Sequence, residues 1–370
     1  MKVSARTDVG RVRTTNEDGL AVNDLASGEQ IDVTAGDRAV DVQERGVLLA
    51  LSDGMGGHQA GEIASALVLQ SLQQAMQQES RGPIHQQLEE AVQRANLTVM
   101  NAARADNRRG MGATLTAVFV HGAEAYIAEV GDSRAYLLRN GRLRQITRDQ
   151  SLVQLMVDHG VMSPEEAKRS ASKNVILQAM GLAADVRVAI ARLELRRNDR
   201  FLLCSDGVTN EVGDDELKEI LTGSAPRAAC DTMISLANER GGRDNSTVIV
   251  ADLAGEGLEL PDEFETVTST YEVLKAFEAN LGSNPAMTPP PPLPSVNVPM
   301  SPAIEALPDL PEDLPAPSTS AATAAAAGAA PAGPGETQKL ARVSGPTWAT
   351  VVLVAVVLVG LIALLLLLTS

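Results

Sequence analysis

VLLALSDGMGGH, residues 47–58, runs six residues from Val47 to Ser52 that read as a buried strand and then breaks at Asp53-Gly54. Three more acidic tips resemble it. AEAYIAEV leads to Gly131-Asp132-Ser133, RFLLCS leads to Asp206-Gly207, and a loop carrying Arg243-Asp244-Asn245 precedes STVIVA. An aspartate at the tip of a buried strand stands where the desolvated backbone gives way to a loop, so neighbouring strands can aim several carboxylates at one point. Left alone, such a cluster repels itself. Hard divalent cations such as Mg2+ and Mn2+ relieve it, because they prefer carboxylate, carbonyl and water oxygens. The pattern therefore points to a metal-dependent hydrolase.

Apolar runs at 47–52, 113–120, 123–130, 135–139, 142–146, 188–195, 200–205 and 246–251 predict strands, and Asn140-Gly141 is a type I′ hairpin signal. Short links imply antiparallel pairing. Helical patterns lie near 60–79, 84–106, 150–160, 164–171, 214–222 and 226–240. Helices in pairs between groups of strands imply an α+β fold, a four-layer α-β-β-α sandwich of two antiparallel sheets flanked by helices. The segment from Gln150 to Met180 reads either as a mobile flap or as an ordinary surface helical hairpin. Residues 264–281 predict one more amphipathic helix.

Composition divides the chain into a folded domain over 1–257, a helical extension over 258–284, a Pro/Ala-rich disordered linker over 285–346 and a transmembrane helix over 347–369. The last expectation rests on VVLVAVVLVGLIALLLLLTS, about 20 uncharged residues, the length that crosses a bilayer core. No apolar leader follows Met1, and Lys339 and Arg342 flank the apolar run, so the folded domain is expected in the cytoplasm, tethered to the inner membrane by a single pass. Cys204 and Cys230 show no disulfide or zinc spacing. A formal net charge of −16 argues against nucleic acid as a partner and fits a cation-dependent site.

Six motifs occur in order: Arg13-Thr14-Thr15-Asn16-Glu17-Asp18, SDGMGGH at 52–58, Gly110-Met111-Gly112-Ala113-Thr114, Gly131-Asp132-Ser133-Arg134, Ser205-Asp206-Gly207 and Asp244-Asn245-Ser246-Thr247. Together, over roughly residues 3–253, they resemble the bacterial branch of the metal-dependent Ser/Thr protein phosphatases, the type 2C family. The resemblance implies two Mn2+ or Mg2+ ions, bridged by Asp53, with the Gly54 carbonyl on one and Asp206 and Asp244 completing the other. It also implies that Glu17 and Asp18 hold metal-bound waters, that Asp132 with Asp206 matches a third, weaker metal site, and that Arg13 holds the substrate phosphate. The chain carries no G-x-S-x-G elbow, Cys-x5-Arg loop or H-E-x-x-H motif that would supply another chemistry.

Each residue has a plainer reading too: Arg13 as a surface arginine, and Asp53, Asp132 and Asp206 as turn residues after strands. Animal-type members carry a histidine two residues after the bridging aspartate; here that position is Met55, and His58 is readable either as the general acid or as a structural residue at a helix start. Gln150 stands where bacterial relatives often have histidine. The implied partners are phosphorylated proteins, a Ser/Thr kinase and its substrates among them. The alternative is a non-enzymatic phosphatase-like module that binds phosphorylated partners at the membrane.

Overall fold

The computed structural model describes residues 1–279, apart from Gly57, His58, Glu79, Ser80, Asp106, Asn107 and Arg109. In chain order the first elements are β1 (Lys2–Asp8), β2 (Asp18–Asp24), β3 (Arg38–Ala39), β4 (Val47–Met55), α1 (Gln59–Gln77), α2 (Ile84–Ala105), β5 (Gly112–Ala113), β6 (Leu115–His121) and β7 (Glu124–Val130). Then come β8 (Arg134–Arg139), β9 (Arg142–Gln145), α3 (Leu152–Asp158), α4 (Pro164–Arg169), β10 (Ala189–Glu194) and β11 (Arg200–Cys204). The last are α5 (Asp206–Thr209), α6 (Asp214–Gly223), α7 (Pro226–Glu239), β12 (Ser246–Asp252), α8 (Val267–Thr270) and β13 (Tyr271–Lys275).

Two sheets result, one in the order β3-β1-β12-β11-β8-β9 and the other β13-β10-β7-β6-β4-β2, with β5 paired to β4. The ladders are antiparallel. Strand β4 shows why its sequence is apolar at every position rather than at every second one. Leu48 and Ala50 pack toward α1 and α2, whereas Val47, Leu49 and Leu51 pack toward the second sheet. Strand β11 is divided likewise: Phe201 and Leu203 face the other sheet, and Leu202 and Cys204 face α6 and α7. Successive side chains point to opposite faces, so a strand with a sheet on one side and helices on the other must be apolar throughout. The two sheets flanked by helices match the expected sandwich.

The tight hairpin at Asn140-Gly141 is also as expected, with φ of 50° and 67°. Helix α3 begins at an N-cap, where Ser151 Oγ accepts from the Gln154 amide. Helix α4 opens with a full capping box between Ser163 and Glu166 and Pro164 at its first position.

Two differences from the sequence reading concern the ends of the domain. Strands β1 and β2 were not among the expected strands, because KVSARTD and DGLAVND break their apolar pattern with charged and polar residues. The amphipathic helix expected over 264–281 is instead the single turn α8 followed by β13, which joins β10 at the sheet edge. Tyr271 and Val273 are the β-favouring residues there, and the Tyr271 hydroxyl donates to the Ile146 carbonyl at 2.8 Å. Among the described residues no helix is long and apolar enough to cross a membrane. The expected linker at 285–346 and span at 347–369 lie outside the described residues.

Candidate active site

Strand β4 delivers Asp53 and Gly54 at its C-terminal end, and β2 begins beside it, with Asp18 directly opposite Asp53 in the ladder. Gly54 is packed so closely that a Cβ on it would sit on the carbonyls of Gly61 and Glu17, so only glycine lets β4 run against the first turn of α1 here. The Gly54 amide donates to the Glu17 carbonyl at 3.1 Å, and Ser65 Oγ on α1 donates to the same carbonyl at 2.7 Å. The Asp53 amide is held by Thr114 Oγ1 at 2.9 Å.

From the second sheet, β11 ends in Ser205, and Asp206 opens α5. The loop before β12 supplies Asp244. Between β7 and β8, Gly131 at φ 111° turns the chain so that Asp132 enters the same space. The electrostatics show the convergence: Asp53 feels, after its own burial, Asp18, Asp206, Asp132 and Asp244. Burial, then neighbouring carboxylates, pushes each acid up: Asp53 well above the carboxylate range, Asp206 to about 6, Asp18 to about 7 and Asp132 to about 8.

Hydrogen bonds orient this cluster without satisfying it. One oxygen of Asp18 accepts from Ser205 Oγ (2.8 Å) and Thr247 Oγ1 (2.7 Å), while its Oδ1 is buried with no hydrogen-bond partner. Asp206 repeats the pattern: Oδ2 accepts from Asn210 Nδ2 at 3.0 Å and Oδ1 is buried without one. Two orphaned carboxylate oxygens in an all-oxygen donor set are what a hard divalent cation satisfies. Among the described residues no group of three or more His, Cys, Asp or Glu side chains closes tightly enough to hold an ion by itself.

Arg13 lies at the rim with its side chain half exposed, Nη2 at 2.8 Å from Asp244 Oδ2. Glu17 is buried, its amide donating to Asn245 Oδ1 at 2.8 Å. The structure thus brings Arg13, Glu17, Asp18, Asp53, Gly54, Asp132, Asp206 and Asp244 to one centre. His58 lies outside the described residues.

Several residues that build the centre carried no assigned role in the sequence reading. Asn245 staples the N-terminal loop, donating to the carbonyls of Val9 (3.0 Å) and Thr15 (2.9 Å) while accepting from Glu17. The hydroxyls of Ser205 and Thr247 were visible as neighbours of the aspartates in S-D-G and D-N-S-T. Gln150 is buried: its Oε1 accepts from the Gly131 amide at 2.8 Å and its Nε2 donates to the Glu129 carbonyl at 3.1 Å, so it braces the turn that carries Asp132. Lys173, beyond α4, donates to Asn210 Oδ1 at 2.8 Å and so touches the residue that orients Asp206. Nothing in its local sequence marks that contact.

A two-sheet sandwich with a carboxylate centre at its strand ends is the setting of a cation-dependent hydrolase. The family model described as Protein phosphatase 2C matches residues 9–186. The serine/threonine protein phosphatase PstP of Mycobacterium tuberculosis is 38% identical over 254 residues, 68% of this chain and 45% of that protein, so the chain matches less than half of that relative's length. The serine/threonine phosphatase stp of Listeria monocytogenes is 35% identical over 258 residues, 68% of this chain and 96% of that protein. A crystal structure of the catalytic domain of PstP, in complex with two manganese ions, superposes with a TM-score of 0.57 at 38% identity, covering 68% of this chain and 98% of that one. The chain belongs to the protein phosphatase 2C family.

Proposed function

We propose that the chain is a protein Ser/Thr phosphatase that hydrolyses phosphoserine and phosphothreonine with Mn2+ or Mg2+ bound in the carboxylate cluster. The observation that carries this reading is the pair of buried, partnerless oxygens on Asp18 and Asp206 within a cluster of five aspartates. The two manganese ions in the PstP catalytic domain support it.

Asp53 and the Gly54 carbonyl, with Asp206 and Asp244, would hold two ions, and Asp132 with Asp206 a third. When bound, such ions lower the pKa of a water, orient it in line with phosphorus and neutralise the phosphoryl oxygens. Asp18, fixed by Ser205 and Thr247, and Glu17, fixed through Asn245, orient the waters around them. The Arg13 guanidinium, held at the rim by Asp244, donates to the phosphate oxygens of the arriving substrate. The proton for the departing serine or threonine oxygen comes from His58 or from solvent. No side-chain nucleophile is needed.

The uncharged run over 351–370 supports a single-pass anchor in the cytoplasmic membrane with the phosphatase on the cytoplasmic side. A membrane anchor would govern which substrates, a membrane Ser/Thr kinase among them, are met.

The test is release of phosphate from a phosphothreonine peptide by the full chain, with Mn2+, Mg2+ or EDTA, beside Asp53→Ala. Metal-dependent release that the variant loses is expected. Peptide binding without release, in a folded and metal-loaded protein, would replace the enzyme with a phosphopeptide-binding module.

A further inference from the structure

A cavity of about 560 Å3 lies apart from the carboxylate centre in its lining, which includes none of the aspartates of that centre. Its walls come from β7 and β10, from the edge strands β9 and β13, and from the segment after Gln150 through Leu155 and Leu177. The volume lies in the range of small-molecule sites. Ile127, Ile146, Leu155, Leu177 and Tyr271 give the walls an apolar part beside a polar rim, and one buried acid, Glu129, lines the cavity at 3% exposure.

Glu129 is not matched from within the protein. Its Oε2 accepts from the Arg148 amide at 2.9 Å, and its Oε1 is buried with no hydrogen-bond partner. The other charged groups around the cavity are mostly engaged. Asp149 takes the fork of Arg134, Asp158 pairs with Arg148, and Lys275 pairs with Glu89. Arg144 is exposed at the rim. Burial first, then Asp149 and Asp132, holds the Glu129 carboxyl well above its ordinary range.

We propose that this cavity binds a small organic cation, an ammonium or guanidinium head on an apolar body, with the head donating to Glu129 and the body against Ile127, Ile146 and Tyr271. A buried acceptor without a donor gains most from a ligand that brings one, and a cation also restores the carboxylate that burial disfavours. The ligand reports to the active centre through Gln150. That side chain joins the Glu129 carbonyl to the Gly131 amide, its Oε1 also accepts from Gln178 Nε2, and the Gln150 backbone carbonyl accepts from the Leu177 amide at 2.7 Å. A molecule spanning Glu129, Leu155 and Leu177 ties the core to the 150–180 segment and holds the turn that carries Asp132.

The experiment uses the full chain and three probes of one shape: n-hexylammonium, hexanol and hexanoate. Binding is followed by ligand-observed NMR and by the shift in thermal unfolding, with no divalent cation added, so it does not depend on the phosphatase reading. Saturable binding of hexylammonium is expected, at least tenfold tighter than hexanol, with hexanoate weakest. Glu129→Gln, which is nearly isosteric, is expected to weaken hexylammonium tenfold or more and to leave hexanol unchanged. Ala191→Phe, which fills the cavity, is expected to abolish both. Hydrogen exchange over 151–178 is expected to slow when hexylammonium is bound. No saturable binding of hexylammonium, equal binding by Glu129→Gln, or preference for hexanoate would each overturn the proposal.

Discussion

Strands β8 and β11 carry charge at both ends, and the two ends treat it in opposite ways. At one end Arg139 and Asp199 are wholly buried and fully matched: Nε and Nη2 of the arginine stand 2.7 and 2.6 Å from the two carboxylate oxygens, with further donation to the Glu194 carbonyl and Thr270 Oγ1. At the other end Asp132 and Asp206 join Asp18, Asp53 and Asp244, and the arginine that pairs with the cluster, Arg13, is half exposed and bonded to Asp244. Arg134 stands close by, but its fork is taken by Asp149. A buried charge satisfied inside the chain belongs to the architecture. A buried charge left unsatisfied at strand tips requires something from outside, and that difference separates scaffold from site.

The largest effect is expected at the unsatisfied end. Asp53→Ala should reduce phosphate release by on the order of a thousandfold or more, because the cation positions supply several kcal/mol of transition-state stabilisation. In EDTA the same variant should unfold at an unchanged or higher temperature, since it removes one of five mutually repelling carboxylates. Activity and metal-free stability moving together would erase the distinction between the two ends.

The matched end should respond in stability. Arg139→Leu leaves Asp199 buried and uncompensated and is expected to cost about 3–5 kcal/mol, read by chemical denaturation. Adding Asp199→Leu should recover most of that loss. A double variant no better than the single one would show that the pair is not acting as a unit.

A smaller loss, still a few kcal/mol, is expected from ending the chain at residue 257, because the partners of the matched end reach past that point. Thr270 and Glu265 contact Arg139, Glu265 also pairs with Arg196, and β13 pairs with β10. A chain ending at 279 should keep the full stability of the described domain. Equal denaturation midpoints for the two truncations would show that the extension is only attached.

The same contrast explains how much could be read in the sequence. Strands β4 and β11 were legible because a strand buried on both faces is apolar at every position, and their aspartates were legible because a charge directly after such a run breaks the pattern. Strands β1 and β2 were not, since Arg6, Thr7 and Asp24 interrupt the apolar residues there. Asn245 could be seen as part of a motif, but its three bonds run to residues more than 220 positions away, which local sequence does not encode. The segment over 264–281 misled because Phe264, Val267, Tyr271 and Leu274 have helical spacing by accident, whereas the free edge of β10 decides the outcome as a strand. Tertiary pairing overrides a short periodic signal.

The finest test uses pH. Asp and Glu have ordinary values near 3.8 and 4.5, and in the folded protein Asp206, Asp18 and Asp132 rise to about 6, 7 and 8, with Glu129 also raised. A carboxyl whose folded-state pKa is raised binds its proton more tightly when folded, so its contribution is full below the unfolded value and is lost as pH rises toward the folded one. In EDTA, stability should therefore fall from about pH 4 to pH 8. Mn2+ should flatten the part of that slope that comes from the aspartates, by favouring their charged forms. Glu129, outside the cluster, should keep its part of the slope in Mn2+. Glu129→Gln should accordingly raise the unfolding temperature at pH 8 and change it little at pH 4, and most of that effect, which comes from burial, should persist in Mn2+. If Mn2+ abolished the effect of Glu129→Gln, the cavity acid and the aspartate cluster would be one electrostatic unit, and the boundary between satisfied scaffold and unsatisfied site would have to be redrawn to include Glu129.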